Sequence, residues 1–246
     1  VQLCFRQPPI PGNRQWTRPA TSGVMTLTMT NLRIVCLSDT HNLHDSIDVP
    51  DGDVLIHAGD FTGRGYEHEV ESFGKFLAKL PHREKVIIAG NHDFLFQDEP
   101  ELARKLLGDV TYLYDSGAEI ADLRFWGAPW QPWYKNWAFN LQRGDEIGAK
   151  WKQIPDDTDI LITHGPAFGV LDRTFDGSVV GCEELVVALE RVRPRMHVFG
   201  HIHEGYGTTD RNDVLRVNAS NCNIRYKAAN PAIVIDWDGE QLRVVE

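Results

Sequence analysis

The 246-residue sequence contains no apolar run that approaches the roughly 18 residues needed to cross a membrane. Its four cysteines lie far apart and form no C-x-x-C pair: Cys4, Cys36, Cys182 and Cys222. This spacing excludes the common zinc and thiol-redox motifs and favours free thiols in a reducing compartment. The first 31 residues have scattered Arg and Pro and no apolar core of a signal peptide. We therefore predict a cytoplasmic protein without a membrane partner.

The sequence also lacks an excess of positive charge, because 35 acidic residues outnumber 25 basic ones. The formal net charge is −10 and the isoelectric point is about 5.4. An acidic chain has no general attraction for nucleic-acid polymers, so these are not expected partners. An anionic small molecule would have to be held by local positive charge, and bound metal ions are one way to supply it. The sequence also lacks a G-x-S-x-G motif, a P-loop and a helix-opening G-x-G-x-x-G.

The periodic part of the sequence begins near residue 31. Residues 1–30 are rich in Pro and Thr and lack a helical or strand period, so we predict a loosely packed or disordered extension followed by a single domain over 31–246. Short apolar runs alternate with helical patterns, which predicts a sheet covered on both faces. Predicted strands are 34–37, 53–57, 85–89, 159–163, 196–199, 214–218, 232–236 and 242–245, with alternating runs at 110–126 that favour hairpins. Predicted helices are 70–80, 101–107, 145–151 and 183–192.

Five polar clusters follow or flank these apolar runs. They are Asp39-Thr-His41, Gly59-Asp60, Gly90-Asn-His-Asp93, Thr163-His164-Gly165 and Gly200-His201-Ile-His203. Ligands of such sheets collect at the carboxyl ends of the strands, so we expect the clusters to meet. Asp, His and Asn without thiolate suit hard or borderline divalent metals. A pair of such ions roughly 3.5–4 Å apart can hold both oxygens of an in-line displacement and generate hydroxide at neutral pH.

The series D-x-H, G-D, G-N-H-D, H-G and G-H-x-H resembles the calcineurin-like metallophosphoesterase superfamily over about residues 33–245. The segments Thr163–Pro166, Val198–Tyr206 and Pro129–Trp133 resemble its metallophosphoesterase-domain branch, whose members are similar to class III cyclic-nucleotide phosphodiesterases. The resemblance implies a mixed α/β fold, a four-layer αββα sandwich of two mixed sheets flanked by helices. It also implies the metal ligands: Asp39, His41 and His203 for one ion, Asn91, His164 and His201 for the other, and Asp60 between them.

The same resemblance implies roles around the phosphate. His92 would stabilise charge or protonate the leaving oxygen, with Asp93 or a backbone oxygen fixing its tautomer. Arg64 would contact phosphate, although Gly63 stands where phosphoprotein phosphatases carry an acidic residue. Some animal relatives lack the first histidine of the last motif, whereas this sequence keeps His201, which favours a working catalyst.

An aromatic block at 126–139 adds candidate substrate contacts. Trp126 and Phe139 are predicted to pack in the core, whereas Trp130, Trp133 and Tyr134 could equally pack or stack on a substrate ring. Asn218 lies at a strand end, and Asn218 and Ser220 could border the site. Among the remaining histidines, His57 is predicted to be a core residue or to support a ligand. His44 could reach the rim of the site but is predicted to be exposed. His68, His82 and His197 are predicted to be surface or packing residues.

The sequence thus predicts an enzyme that uses a metal-bridging hydroxide to hydrolyse a phosphodiester, with cyclic nucleotides or aryl diesters as candidates. A phosphomonoesterase, or a nucleotide- or metal-binding regulatory protein on the same fold, is the alternative, because fold does not guarantee activity. The donor set accepts Mn²⁺, Fe²⁺/Fe³⁺, Zn²⁺, Ni²⁺ or Co²⁺ without choosing among them. The number of subunits is not predicted.

Overall fold

The computed structural model describes residues 31–245, which contain two six-stranded mixed sheets. In spatial order, the first sheet contains Leu242–Val245 (β14), Ile233–Trp237 (β13), Leu32–Leu37 (β1), Val54–His57 (β2), Glu84–Ile87 (β3) and Thr111–Tyr112 (β4). The second contains Gly207–Arg211 (β11), Val214–Asn218 (β12), Met196–Phe199 (β10), Ile160–Thr163 (β9), Leu123–Ala128 (β6) and Ser116–Ile120 (β5). Gln131–Pro132 (β7) and Asn140–Leu141 (β8) form a small parallel pair.

The helices are Glu67–Lys79 (α1), Phe94–Asp98 (α2), Pro100–Leu107 (α3), Asp145–Trp151 (α4) and Glu183–Val192 (α5), with 3₁₀ turns at His44–Ser46 and His203–Gly205. Helix α1 is amphipathic: Val70, Phe73, Phe76 and Leu77 are buried, and the helix ends two residues before Pro81. The central strands are parallel in each sheet, so their carboxyl ends lie at the same edge. Antiparallel strands flank them, which makes both sheets mixed.

The core divides into two apolar clusters according to the face that each strand residue uses. In β1, Ile34 and Cys36 belong to the cluster shared by both sheets, whereas Val35 and Leu37 belong to the cluster that includes the helices. This alternation follows from the period of two in a strand. The apolar residues of β1 are therefore buried on both faces. The predicted four-layer sandwich is confirmed.

Most predicted elements are confirmed, and the exceptions have identifiable causes. Strand β11 was not predicted, because Gly-Thr-Thr-Asp-Arg is a polar edge strand without an apolar alternation. The expected hairpin is present as β5–β6, but β4 pairs in parallel with β3 in the other sheet. The short α2 and the β7–β8 pair were also not predicted.

Two further predictions concern cysteines and membranes. Within the described chain, Cys36, Cys182 and Cys222 are buried and free, as expected for reduced thiols. No helix among residues 31–245 has the length and apolar character required to span a membrane. The prediction of an extension over residues 1–30, like Cys4, lies outside the described residues.

Candidate metal centre

The five polar clusters converge at one edge of the sandwich. Each begins within four residues of the end of a parallel strand: β1, β2 and β3 in the first sheet, and β9 and β10 in the second. Several of the clustered residues adopt left-handed backbone conformations that non-glycine residues rarely use. Their φ angles are 52° at Asp39, 41° at His41, 57° at Asp60 and 68° at His201. Strain of this kind is tolerated where function requires a specific geometry.

Asp39, His41 and His203 form the first group of candidate ligands. One ligand atom from each lies within 4.8 Å of the others. His203 Nε2 is 3.2 Å from Asp39 Oδ1 and 3.3 Å from His41 Nε2. All three side chains are largely buried. The first set of predicted ligands is therefore brought together.

Asp60, His164 and His201 form the second group, within the same 4.8 Å limit. Asn91 joins them, because its Oδ1 is 2.8 Å from His164 Nε2. Asp60 Oδ2 is 3.4 Å from His164 Nε2 and 3.9 Å from His41 Nε2. The Asp60 carboxylate thus lies between the two groups, which is the place expected of a bridging ligand.

Hydrogen bonds define the tautomers of four histidines around this centre. In each, Nδ1 lies 2.8–3.3 Å from a backbone carbonyl oxygen, which can only accept, so Nδ1 carries the hydrogen. The accepting carbonyls are those of Thr62 for His41, Gly63 for His92, Ala58 for His164 and Asn223 for His203. A neutral ring that donates from Nδ1 presents a lone pair at Nε2, the usual arrangement of a metal-ligating histidine. When both rings are neutral, the Nε2 lone pairs of His41 and His203 face each other across 3.3 Å. A cation between them resolves this contact, so the residues fit a metal ion.

Burial and charge act on the protonation of these groups. Burial lowers the pKa of His41 to about 4 and that of His201 to about 3, so both rings are neutral near pH 7. Burial opposes charge on His164 too, but the Asp60 carboxylate outweighs it and raises the pKa of His164 to about 9. Burial likewise opposes charge on Asp39, yet the hydrogen bond from His203 holds its pKa well below the usual range. A metal ion would compete with protons for these same lone pairs.

Asp93 links the loops that carry the candidate ligands through buried hydrogen bonds. Its buried carboxylate accepts hydrogen bonds from the backbone N–H groups of Asp60, Thr62 and Gly90 at 2.7–3.0 Å, and from the Thr62 hydroxyl at 2.7 Å. Burial and the charge of Asp60 raise the pKa of Asp93 to about 7, against these four donors, which favour the charged form. The His92 ring is fixed by the Gly63 carbonyl instead, which was the alternative partner. Asp93 therefore positions the loops that carry Asp60 and Asn91, and its own side chain is fully buried.

Three further buried side chains contact the candidate ligands or the residues next to them. Ser220 Oγ donates to Asp39 Oδ2 at 2.9 Å. His57 Nε2 lies 3.1 Å from the hydroxyl of Thr40, which stands between Asp39 and His41. His197 Nε2 lies 2.8 Å from Thr163 Oγ1, which itself donates to the Gly165 carbonyl at 2.7 Å. The prediction for His57 agrees with this position, and no pattern in the sequence had indicated what His197 contacts.

The prediction that His44 is exposed is wrong. Its side chain is 2 % exposed and packs against Phe73 and Phe76, with Nε2 3.3 Å from Ser72 Oγ. The cause is the 3₁₀ turn at His44–Ser46, which turns the ring toward α1. His82 and His197 are buried packing residues, and His68 is exposed.

The metal centre opens into a cavity of about 690 Å³. Asp60, Asn91, His92, His201 and His203 lie at its base, and its walls include Trp133, Tyr134, Trp137, Phe175 and Tyr226. Tyr226 was not predicted, because it lies in an irregular polar loop. Its ring lies 4.8 Å from that of His41 and 5.6 Å from that of His203.

Three residues that were predicted to contact the substrate or to border the site do not appear among the described residues that line this cavity. Trp130 is buried in the core and donates from Nε1 to Asp115. Asn218 is buried, and its amide donates to the Ile202 and Leu171 carbonyls. The guanidinium of Arg64 lies over the Trp137 ring, 5.6 Å from its centroid. Trp126 and Phe139 are core residues, as predicted.

An αββα sandwich with Asp and His clusters at its strand ends is the architecture of metal-dependent phosphoesterases. The chain belongs to the calcineurin-like phosphoesterase family, whose model matches residues 32–205. The family implies divalent metal ions, in agreement with the clustered ligands.

Curated relatives support the family over most of the chain. Human metallophosphoesterase domain-containing protein 1 is 45% identical over 229 residues, covering 83% of this chain and 70% of the relative. A UPF0046 protein of Caenorhabditis elegans is 39% identical over 206 residues, covering 78% of this chain and 70% of its own length. The solved structure of TT1561 from Thermus thermophilus superposes with a TM-score of 0.57 at 11% identity, over 88% of this chain and 99% of that one. This last likeness shows the fold alone.

Proposed function

We propose that the protein is a dinuclear metal-dependent phosphodiesterase. The observation that carries the proposal is that seven predicted ligands from both sheets lie together, and that four of them, Asp60, Asn91, His201 and His203, line one open cavity. Asp39, His41 and His203 would hold one ion, Asn91, His164 and His201 the other, and Asp60 would contact both. Such a pair supplies positive charge against the phosphate and activates water as a nucleophile at neutral pH. Mn²⁺, Fe²⁺/Fe³⁺, Zn²⁺, Ni²⁺ and Co²⁺ are the candidates.

His92 is the proposed catalytic side chain. Its Nδ1 donates to the Gly63 carbonyl at 2.8 Å, and its Nε2 lies 3.9 Å from Asp60 Oδ2 at the cavity base. Nε2 is therefore the atom that faces a bound phosphate. When doubly protonated, the ring donates from Nε2 to a phosphoryl oxygen or to the leaving oxygen. Arg64 remains a proposed phosphate contact, which requires its side chain to reach past Trp137.

The cavity walls favour an ester with a planar organic group. Trp133, Tyr134, Phe175 and Tyr226 are all more than half exposed, although they line a cavity. Exposed aromatic rings that converge on one site usually mark a binding surface. A nucleobase or an aryl group can stack on them, whereas a long nucleic acid would need a basic surface that the composition does not provide. Aryl phosphodiesters and cyclic nucleotides are thus the proposed substrates, and a cytoplasmic location stays a prediction.

The test is hydrolysis of bis-p-nitrophenyl phosphate, p-nitrophenyl phosphate, and 2′,3′- and 3′,5′-cyclic AMP. The enzyme is first chelated, and each metal is then restored separately. Asn91→Ala and His92→Ala are the test variants, and His68→Ala is the matched control, because His68 is exposed and absent from the ligand groups. Metal-restored diester hydrolysis that both test variants lose, and the control keeps, supports the proposal. Faster monoester turnover would favour a phosphomonoesterase, and tight nucleotide binding without turnover would favour a regulatory protein.

A further inference from the structure

Trp137 stacks on the proposed catalytic histidine. The indole and the imidazole of His92 have centroids 4.1 Å apart and planes inclined by 30°. The guanidinium carbon of Arg64 lies over the same indole, 5.6 Å from its centroid. One aromatic side chain therefore contacts both residues that are proposed to act on the phosphate.

The position of Trp137 is fixed by the two residues that follow it, whose backbone hydrogen bonds reach the Asn91 loop and helix α2. The next backbone N–H, of Ala138, donates to the Asn91 carbonyl at 3.1 Å, and that of Phe139 donates to Gln97 Oε1 at 2.7 Å. Unlike Trp126, Trp130 and Trp151, Trp137 belongs to neither apolar core cluster, and it lines the cavity. Core packing therefore does not account for its location, whereas contact with the site does.

The hydrogen bond from Nδ1 to the Gly63 carbonyl fixes one atom of the His92 ring but leaves rotation about that bond. The indole face at 4.1 Å and the His41 ring, packed edge to face at 4.6 Å, restrict this rotation. We infer that Trp137 is a positioning residue that fixes the His92 imidazole so that Nε2 faces the reacting phosphate. This role rests on the proposed phosphoesterase function. A misplacement of about 1 Å in such a site costs about 100-fold in rate.

The variants are Trp137→Leu, which removes the stacking ring, and Trp137→Phe, which keeps an aromatic face. Phe168→Leu is the matched control, because Phe168 is an exposed aromatic residue that does not line the cavity. Each change is made in the wild-type chain and in a His92→Gln background. We expect Trp137→Leu to lower kcat about 10- to 100-fold in the wild type and less than about threefold beside His92→Gln, because coupled residues do not add. Trp137→Phe should recover most of the loss.

Leaving groups provide a readout that a purely structural role would not change. If His92 assists the leaving oxygen, Trp137→Leu should slow the hydrolysis of phenyl esters more than that of p-nitrophenyl esters, and His92→Gln should do the same.

The NMR spectrum of the zinc-loaded protein provides a readout without turnover. The ring current of the indole should shift the His92 Hε1 resonance upfield, and Trp137→Leu should remove this shift while Phe168→Leu leaves it.

Equal losses from Trp137→Leu in both backgrounds, or an unchanged His92 resonance in an active enzyme, would overturn the positioning role and leave the phosphoesterase proposal intact. A wild-type chain that hydrolyses no phosphoester with any metal would instead overturn the proposed function, and the role of Trp137 with it. Coupled losses together with the resonance change support the inference.

Discussion

At Gly200, one added carbon should displace a single candidate metal ligand, Asp39. It stands between β10 and His201, and an ideal Cβ there would lie 2.0 Å from Asp39 Oδ2 and 2.1 Å from Ser38 Oγ. Ordinary van der Waals contact begins at about 3.4 Å, so the Asp39 carboxylate would have to retreat by about 1.4 Å in Gly200→Ala. The Ser38 side chain would have to move as well.

That retreat exceeds what the first metal group tolerates. Asp39 Oδ2 accepts hydrogen bonds at 2.9 Å from both Ser220 Oγ and the His201 N–H, and both would be lost. Metal–ligand distances are maintained within about 0.2 Å, so Asp39 would no longer serve as a ligand. We expect Gly200→Ala to bind one metal ion per chain in place of two and to lose at least about 100-fold in kcat/KM. Overpacking should also lower the free energy of unfolding by about 1–3 kcal/mol.

The assay is the metal content of dialysed protein, measured by mass spectrometry together with isothermal titration of the chelated protein. Gly165→Ala is the matched control in the same cavity. Its Cβ would lie 3.8 Å from Gln131 Cβ and 3.9 Å from His201 Cδ2, which are ordinary contacts. This control should retain both metals. A folded Gly200→Ala protein that binds two ions with wild-type affinity would refute the reasoning, because the clash leaves no room for an unmoved Asp39.

Three further predictions follow from the contacts that support the ligands. Ser220→Ala removes the donor to Asp39 and should weaken the first metal about 10- to 100-fold in a titration; unchanged affinity would show that the hydrogen bond is dispensable. His197→Phe removes the hydrogen-bond donor to Thr163, the residue before His164, and should weaken binding of the second metal by a similar factor. His197→Gln should retain the metal affinity, because its side-chain amide can still donate to Thr163. Chelation should lower the melting temperature, since metal at 100 times its Kd stabilises the fold by about 2.7 kcal/mol; an unchanged melting temperature would count against a metal-linked fold.

The convergence of the candidate ligands was predictable because sequence and topology agree at the strand ends. Apolar runs such as 196–199 are readable as buried strands, and parallel strands of one sheet place their carboxyl ends together. Asp, His and Asn residues that directly follow such runs are therefore expected to meet at one edge of the sheet. Which sheet each strand joins was not readable from the runs themselves, because β1 and β10 look alike although they belong to different sheets.

The supporting residues were harder to predict, because they are selected by contacts and not by periodicity. Ser220, Trp137 and Tyr226 follow no pattern of two or 3.6 residues, and each owes its role to a neighbour more than 40 residues away in the chain. For Trp130 the sequence left packing and substrate stacking equally open: Trp133 and Tyr134 in the same block line the cavity, whereas Trp130 packs in the core and its indole N–H donates to Asp115. A buried tryptophan usually lies where its indole N–H has a hydrogen-bond partner, and the sequence alone does not identify that partner.

The site is also the place where the two sheets are joined. His164, from the second sheet, donates to the Ala58 carbonyl beyond β2 of the first sheet at 2.9 Å. Asn221, beyond β12, donates its N–H to the Ser38 carbonyl beyond β1 at 2.8 Å. The proposed ligands are divided in the same way. Four follow strands of the first sheet, namely Asp39, His41, Asp60 and Asn91, and three follow strands of the second, namely His164, His201 and His203. Because metal ions held by this set would cross-link the sheets, metal binding and the closure of the sandwich at this edge should be thermodynamically linked.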